Sequence, residues 1–185
     1  MNCHRIAIAA AAMTLALGLT ASAGELQTTS GTMQLGGVTT FDIDMYMPEE
    51  GSNKTGYKII ATPSFGYFIS DNLELNGSIQ LGTFFGDLYD GFGTVLGFNV
   101  GGRYLIDMDS FYLHLGAQIG MLINMPDEGD NTKTLVIGVP IGLLFPLNQH
   151  VALDAGLRVN FNMGLDDQGN MLNVPIGYLG VQAFF

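Results

Sequence analysis

The sequence of 185 residues contains a single cysteine, Cys3. Cys3 precedes the apolar run near the N-terminus, so it is not placed as the lipid-bearing cysteine of a lipoprotein. We expect it to be removed with the N-terminal segment described below, which leaves a chain without thiols. Neither a disulfide framework nor a thiolate metal site is then available to this protein.

Basic residues are also scarce. Six Lys and Arg residues stand against 17 Asp and Glu residues, and one of the six, Arg5, lies in the N-terminal segment. Without Arg5 the chain carries five basic and 17 acidic residues, a net charge of −12. Binding to a polyphosphate requires a basic patch, so we expect no nucleic-acid partner.

Long apolar runs are missing after residue 23, although the chain is hydrophobic. Its mean hydropathy is +0.31, and only 12% of its residues are charged. No later stretch reaches the roughly 20 apolar residues that a spanning helix needs. A hydrophobic chain without such helices can cross a bilayer as a sheet closed on itself, in which every backbone polar group is paired.

The first 23 residues have the three parts of a secretory signal peptide. His4 and Arg5 lie in a polar start, residues 6–19 form an apolar run, and Ala21-Ser22-Ala23 is a small-residue cleavage site. A transmembrane anchor is the alternative, but about 14 apolar residues are short for a span of about 20. We therefore predict a cleaved signal peptide, residues 1–23, and one domain of 162 residues, 24–185.

Apolar and polar residues alternate with a period of two in about eight segments after residue 23. Each segment is long enough for the roughly 9 to 11 residues of a tilted transmembrane strand. We predict an all-β fold, an eight-stranded antiparallel up-and-down transmembrane β-barrel. The predicted strands are residues 32–47, 57–69, 73–85, 94–107, 110–124, 135–145, 151–163 and 173–185.

The alternation is clearest in the seventh segment, where Leu153 and Leu157 fall on one face and Asp154, Arg158 and Asn160 on the other. A soluble β-sandwich alternates in the same way. Its water-facing side, however, usually carries Lys, Glu and Thr, whereas Gly, Asn, Gln and Tyr prevail here. We expect this face to line a narrow lumen, in which glycines make room for large inward rings: Phe68, Phe84, Tyr112 and Tyr178.

The chain ends on the alternating stretch Tyr178 to Phe185, YLGVQAFF. It resembles the C-terminal strand of Gram-negative outer-membrane β-barrels, whose terminal aromatic residue is a signal to the barrel assembly machinery. The stretch GYFISDNLEL, Gly66 to Leu75, resembles a hairpin of the small eight-stranded OmpA-type and OmpX-type barrels. The resemblance implies an outer-membrane location and an assembly signal formed by Tyr178, Leu179, Val181, Ala183 and Phe185.

Connections of two lengths fit this family, which has short periplasmic turns and longer outer loops. The short ones are residues 70–72, 108–109 and 146–150, and the long ones are 48–56, 86–93, 125–134 and 164–172. Both termini are then periplasmic. If Asp107 pairs with Ser110, Arg103 lies opposite His114 and all inward positions keep their face.

The inward positions include ionisable and amide side chains. Charges in a tight lumen are costly unless paired, and eight strands enclose a space that side chains roughly fill. We predict a structural network that fills the lumen; a thin, cation-preferring water path is the alternative. The network residues are Asp42, Asp44, Lys58, Glu74, Asn99, Arg103, Asp107, His114, Gln118, Asp154 and Arg158.

We predict no catalytic, cofactor or metal residues. His114 and His150 are the histidines that remain after cleavage, and neither has a serine beside it on the lipid face, as the lipid-modifying barrels require. Neither a P-loop nor a Rossmann fingerprint is present. A lipid-modifying enzyme remains the least favoured alternative.

The long loops are acidic. We expect their carboxylates to serve only to keep the loops hydrated. The more specific alternative is that divalent cations bridge these carboxylates to lipopolysaccharide phosphates. The expected function is structural or surface-contacting, in a monomer whose partners are outer-membrane lipid and lipopolysaccharide. The loop carboxylates are Glu49, Glu50, Asp87, Asp90, Asp127, Glu128, Asp130, Asp166 and Asp167.

Overall fold

The computed structural model describes residues 25–46, 54–87, 91–165, 170–173, 175 and 177–185. The predicted signal peptide lies outside these residues, so its cleavage stays a prediction. The strands are β1 Met33–Tyr46, β2 Lys54–Ser70, β3 Leu73–Gly86, β4 Gly91–Asp107, β5 Tyr112–Pro126, β6 Thr132–Asn148, β7 Val151–Gly164, β8 Asn170–Asn173 and β9 Tyr178–Phe184.

The strands form one closed antiparallel ring. Each of β1 to β7 pairs with its neighbour in sequence, and β9 closes the ring between β7 and β1. The short β8 pairs with the far end of β7, so β8 and β9 together occupy the eighth position. The predicted all-β, eight-stranded barrel is confirmed.

The eighth strand is not continuous as predicted over residues 173–185, because its ladder stops after Asn173 and resumes at Tyr178. Pro175 lies between the two parts and cannot donate a ladder hydrogen bond. Gly177 has a φ of 155°, a conformation that side chains rarely adopt. Phe185 lies beyond β9 but still exchanges two backbone hydrogen bonds of 2.9 Å with Met33.

The predicted register of the β4–β5 hairpin is wrong by two residues. Asp107 pairs with Tyr112 rather than Ser110, so Arg103 lies opposite Gly116 rather than His114. The turn is longer because Asp109 adopts a φ of 67° and donates its N–H to Asp107 Oδ1 over 2.9 Å. A shift of two preserves the face of every side chain, which is why the predicted inward positions survive it.

The strands also run past several predicted ends. β2 begins at Lys54 rather than residue 57, and β6 spans Thr132–Asn148 rather than 135–145. The β6–β7 turn is therefore shorter than predicted, with a register shift between Pro146 and Asn148. Hydrophobic alternation marks only the part of each strand that faces lipid. The backbone hydrogen-bond ladder continues beyond that part at both ends, so the strands are longer than the alternation predicts.

Two mid-strand prolines interrupt the ladder. The β2–β3 register has no pair at Pro63, and the β5–β6 register has none at Pro140. Each proline still pairs on its other side, with Gly37 and Arg158 respectively. Proline has no N–H to donate, so each gap lies on the side where that donor would have been.

The outward face is apolar on every long strand. Leu35, Val100 and Ile79 are 58%, 57% and 53% exposed. Phe41, Tyr57 and Phe85 stack at the end that carries the long connections, with centroid distances of 6.4 and 5.5 Å. An apolar band with interfacial aromatic residues is the surface of a transmembrane barrel. Among the described residues, no helix has the length and apolarity to cross a membrane.

One end of the lumen, which carries the short turns and residues 25 and 185, the two ends of the described chain, is filled by apolar side chains. We call it the turn end, and the opposite end the loop end. The cluster, here named the cap, consists of Leu26, Phe68, Leu105, Tyr112, Leu144, Ala152 and Phe184. Phe68, Leu105, Leu144 and Phe184 are fully buried.

The segment before β1 crosses the turn end and completes the cap. The Gln27 N–H donates a hydrogen bond to the Gln149 carbonyl over 3.1 Å, and the Leu26 N–H donates one to the Tyr112 hydroxyl over 3.2 Å. Further along, Asn72 N–H donates to the Thr28 carbonyl over 2.9 Å. The segment is thus held by three different parts of the barrel and brings Leu26 onto the apolar cluster.

Replacing Phe68 by alanine should lower the free energy of unfolding by about 3–5 kcal/mol, because it leaves a cavity in a packed apolar core. Urea unfolding of the barrel in detergent measures this change.

Phe65→Ala is the matched control, since Phe65 lies on the same strand but faces outward and is 52% exposed. Detergent fills the space that this ring leaves, so its loss should be clearly smaller. Equal losses for the two variants would contradict a packed cap.

Candidate functional site

Inward glycines make room for the large side chains of the lumen. A Cβ at Gly142 would overlap the Tyr178 hydroxyl, and one at Gly93 would overlap the Phe84 ring. A Cβ at Gly66 would likewise meet the Glu74 carboxylate. The glycines of the inward face are therefore a condition for filling this lumen with rings and charged groups.

A buried ion-pair layer lies directly above the cap. Arg103 donates from Nε to Glu74 Oε2 over 2.9 Å and pairs through Nη2 with the same oxygen at 2.9 Å. Its Nη1 reaches Asp154 Oδ2 at 3.2 Å. One guanidinium thus joins carboxylates from two distant strands, β3 and β7.

Asp154 is the centre of the layer. Its Oδ1 lies 3.0 Å from His114 Nε2, and its Oδ2 also accepts from Gln182 Nε2 over 3.0 Å. His114 Nε2 lies 3.1 Å from the Tyr178 hydroxyl, and Gln34 Nε2 donates to Gln182 Oε1. Side chains from six strands are joined across the lumen in this way.

Burial makes this layer expensive to disrupt. Glu74 is fully buried and Asp154 is 2% exposed. Such charges are tolerated only when ion pairs and hydrogen bonds replace their water. The Arg103 fork and the Gln182 amide supply those partners, and charge-assisted bonds of this kind are stronger than neutral ones.

The structure brings most, but not all, of the predicted inward residues into the lumen. Asp42, Glu74, Asn99, Arg103, His114 and Asp154 are buried, and Lys58, Gln118 and Arg158 are partly buried. Asp42 and Lys58 are partners in the β1–β2 ladder.

One predicted member of the network, Asp107, lies outside the lumen. Asp107 is exposed at the turn end, where it accepts a hydrogen bond from the Asp109 N–H, and it is not part of the ion-pair layer. It keeps the inward parity but lies at the last residue of β4, below the sealed cap. The Asp44 side chain lies outside the described part of the structure.

Two cavities of about 60 Å³ each remain, measured as the space open to the centre of a water molecule. The lower chamber is enclosed by the ion-pair layer and the Tyr178 ring. The upper chamber lies toward the loop end and includes Asp42, Lys58, Thr62, Arg158, Asn160 and Asn162. Thr62 and Arg158 line both and therefore stand between them.

Several buried polar atoms in the lumen have no protein hydrogen-bond partner. In the lower part these include Glu74 Oε1 and His114 Nδ1, and in the upper part Thr62 Oγ1, Arg158 Nε and Asn160 Oδ1. Buried groups of this kind are normally satisfied by water or by a bound molecule. Each chamber exceeds the roughly 10–15 Å³ that one water needs.

The described side chains form no arrangement for nucleophilic catalysis. The hydrogen-bond partners of His114 in this part of the chain are Asp154 and Tyr178. His150 lies at the turn end and binds the Phe184 carbonyl over 3.0 Å through Nδ1. No group of three or more His, Cys, Asp or Glu side chains among the described residues could hold a metal ion.

Sequence reasoning missed Gln34 and Gln182 as members of the network, and it predicted Tyr178 as an inward ring but not as a partner of His114. It also predicted Phe68 and Tyr112 as inward rings but not the cap that they form. Gln34, Gln182 and Tyr178 are inward by parity, and large amides in the middle of a lumen face were an available signal for the first two. The segment over residues 25–32 carried no such signal, because it lies outside the alternating pattern.

No protein-family model matches this chain, and no curated protein matches it. Its structure is similar to that of the N-terminal β-barrel domain of Pseudomonas aeruginosa OprF, with 15% identity, a TM-score of 0.53, and 84% of this chain and 98% of that chain covered. Neisserial surface protein A matches with 18% identity and a TM-score of 0.56, over 84% and 96%.

The outer-membrane protein OprG of Pseudomonas aeruginosa is also similar, with 15% identity, a TM-score of 0.54, and 87% and 99% coverage. Identity this low shows the fold, which these proteins share over nearly their whole length. The chain therefore has the fold of the small eight-stranded outer-membrane β-barrels, and its apolar outward face is the surface of a transmembrane barrel.

Proposed function

We propose that this protein is a closed, non-conducting barrel with a structural role in the outer membrane, and that it contacts the surroundings through its loops. The observation that carries the proposal is the cap at the turn end. Seven buried side chains close the lumen there, and the segment before β1 lies across them. A solute entering from the loop end meets a packed apolar core.

The ion-pair layer supports the same conclusion. Arg103 spans the lumen between Glu74 and Asp154, and His114 and Gln182 take up further oxygen positions of Asp154. A cation path would need carboxylates that remain accessible to a passing ion. Here the two buried carboxylates are instead held in ion pairs with one fixed guanidinium.

We also propose that the barrel inserts as a monomer through its last strand, with both termini periplasmic. Leu179, Val181 and Phe185 form an outward stripe that is 63%, 49% and 66% exposed. Ala183 shares this face by parity, whereas Tyr178 points into the lumen and is buried. This stripe is the surface that an assembly machinery recognising the terminal strand would meet.

A catalytic role is not part of the proposal. His114 is 2% exposed and lies between Asp154 and Tyr178, beneath the Arg158 side chain. A lipid substrate approaching from the bilayer meets an outward face that is mainly apolar over the described strands. On the outer rim, the carboxylates of Asp127, Glu128 and Asp130 are exposed, which supports a role in keeping the loops hydrated. Bridging of these carboxylates to lipopolysaccharide by divalent cations is the more specific alternative.

The protein should produce no discrete current steps in a planar bilayer, because the cap and the ion-pair layer both block the lumen. Residues 24–185 are refolded in detergent, inserted, and recorded under applied voltage. As a control, the protein is inserted into lipid vesicles of the same composition, where protection of the strands from added protease establishes that insertion has occurred. Regular cation-selective steps from inserted protein would overturn the closed-barrel proposal.

Breaking the ion-pair layer should destabilise the barrel. Arg103→Met should lower the free energy of unfolding by about 3–5 kcal/mol, since it leaves the Glu74 carboxylate buried without its ionic partner. Glu74→Gln should lower it by less, because Arg103 keeps its ion pair with Asp154. Arg103→Met should be the more costly, because it also deprives Asp154 of its partner. The double variant should lose less than the sum, with a coupling of about 0.5–3 kcal/mol.

The exposed loop variant Asp127→Asn is the control and should change stability by less than about 0.5 kcal/mol. Urea unfolding in lipid vesicles measures all four variants. Strict additivity of Glu74→Gln and Arg103→Met would show that the two side chains do not act as a pair.

A further inference from the structure

The upper chamber has an unusual charge for so acidic a protein. Its described lining contains two cations, Lys58 and Arg158, and one carboxylate, Asp42. The chain as a whole carries 17 acidic residues against six basic ones. A positive chamber inside an acidic protein selects for an anion rather than a cation.

Arg158 is the cation that lacks a carboxylate partner among the described side chains. Its guanidinium carbon lies 5.7 Å from the centre of the Tyr178 ring, and its Nε is buried without a hydrogen-bond partner. Asp154 is already bound by Arg103, His114 and Gln182. A guanidinium that lines a cavity without a carboxylate partner is able to pair with an anionic ligand there.

The platform beneath Arg158 is rigid. The Tyr178 hydroxyl is fixed on His114, which is in turn fixed on Asp154. A cation held over an aromatic ring keeps its edge free for hydrogen bonds. Arg158 is therefore pre-organised toward the chamber, which lowers the entropy cost of binding.

Further polar atoms converge on the same space. Thr62, Asn160 and Asn162 line the upper chamber, and each has a buried side-chain oxygen without a protein hydrogen-bond partner. Apolar walls come from side chains that include Val95 and Val136. A few polar groups converging between apolar walls is the usual make-up of a small-molecule pocket.

We propose that the upper chamber is a binding site for a small hydroxycarboxylate, with Arg158 holding the carboxylate. The planar guanidinium matches two carboxylate oxygens, which a single halide would not exploit. The ligand hydroxyl donates its one hydrogen bond to a side-chain oxygen of Asn160, Asn162 or Thr62. The volume of about 60 Å³ limits the ligand to a few heavy atoms.

The cap determines from which end of the barrel a ligand can reach this site. The turn end is closed by the apolar cluster, so the ligand enters and leaves from the loop end. The chamber binds without transporting. A ligand role of this kind goes beyond the structural function proposed above and does not depend on it.

Isothermal titration calorimetry of refolded residues 24–185 tests the site, with glycolate as the probe. Glycolamide is the matched control, because it has the same shape and hydroxyl but no charge. Acetate tests the contribution of the hydroxyl. We expect one glycolate per barrel, weaker binding of acetate and no measurable binding of glycolamide. Absence of glycolate binding, or equal binding of glycolamide, would overturn the proposal.

Variants assign the binding to Arg158. Arg158→Gln should weaken glycolate binding roughly ten- to a hundredfold, the loss expected for a hydrogen-bonded charge. Asp42→Asn should have the opposite effect and tighten binding, because it removes the opposing carboxylate. A purely structural role of Arg158 would not produce changes of opposite sign.

Arg158→Lys guards against misfolding of the glutamine variant. It keeps the charge but offers no planar fork, so it should bind glycolate more weakly than the wild type and more tightly than Arg158→Gln. Wild-type affinity in folded Arg158→Gln or Arg158→Lys, or unchanged affinity in Asp42→Asn, would contradict the proposed charge balance.

Discussion

Closure of the backbone ladder is the constraint on which this structure depends. No water is available inside a bilayer to satisfy a free strand edge, so the last strand has to return to the first. β9 does so by pairing with β1 from Gln34 to Thr40, and the Met33–Phe185 hydrogen bonds extend the seam to the turn end. Once the ring is closed, every second residue points inward into a space only eight strands wide, and that space must be filled.

The lumen is filled in three layers of different chemistry. At the turn end, Phe68, Leu144 and Phe184 pack as an ordinary apolar core. Above them, Arg103 joins Glu74 and Asp154 in a buried ion-pair layer. The two chambers lie beside and above this layer, among residues with polar atoms that have no protein partners. The order has a physical reason, because the cap excludes water from below. Ionic bonds in such a low dielectric are stronger than the same bonds at a surface.

The period-two pattern predicts the faces of the strands well and their partners less well. A register shift of two at the β4–β5 turn leaves Arg103 and His114 inward but changes their neighbours, which depend on the backbone conformation of Asp109. The period-two pattern also predicted Asp107 in the network. The pattern gives the face of a residue but not its height along the barrel, so it did not show that Asp107 lies beyond the cap. The segment that carries Leu26 has no strand periodicity at all, so its role follows only from the three-dimensional contacts.

Which ion the lumen favours cannot be obtained by counting inward charges. The sequence offers five inward carboxylates against three cations, which by itself favours a cation path. In the structure Asp107 lies outside the lumen, and Glu74 and Asp154 are both in ion pairs with Arg103. Among the described side chains of the upper chamber, the balance is then positive, with Arg158 above the Tyr178 ring. The charge that a solute meets thus depends on which inward carboxylates are already held in ion pairs, because a paired carboxylate attracts a cation less than an unpaired one.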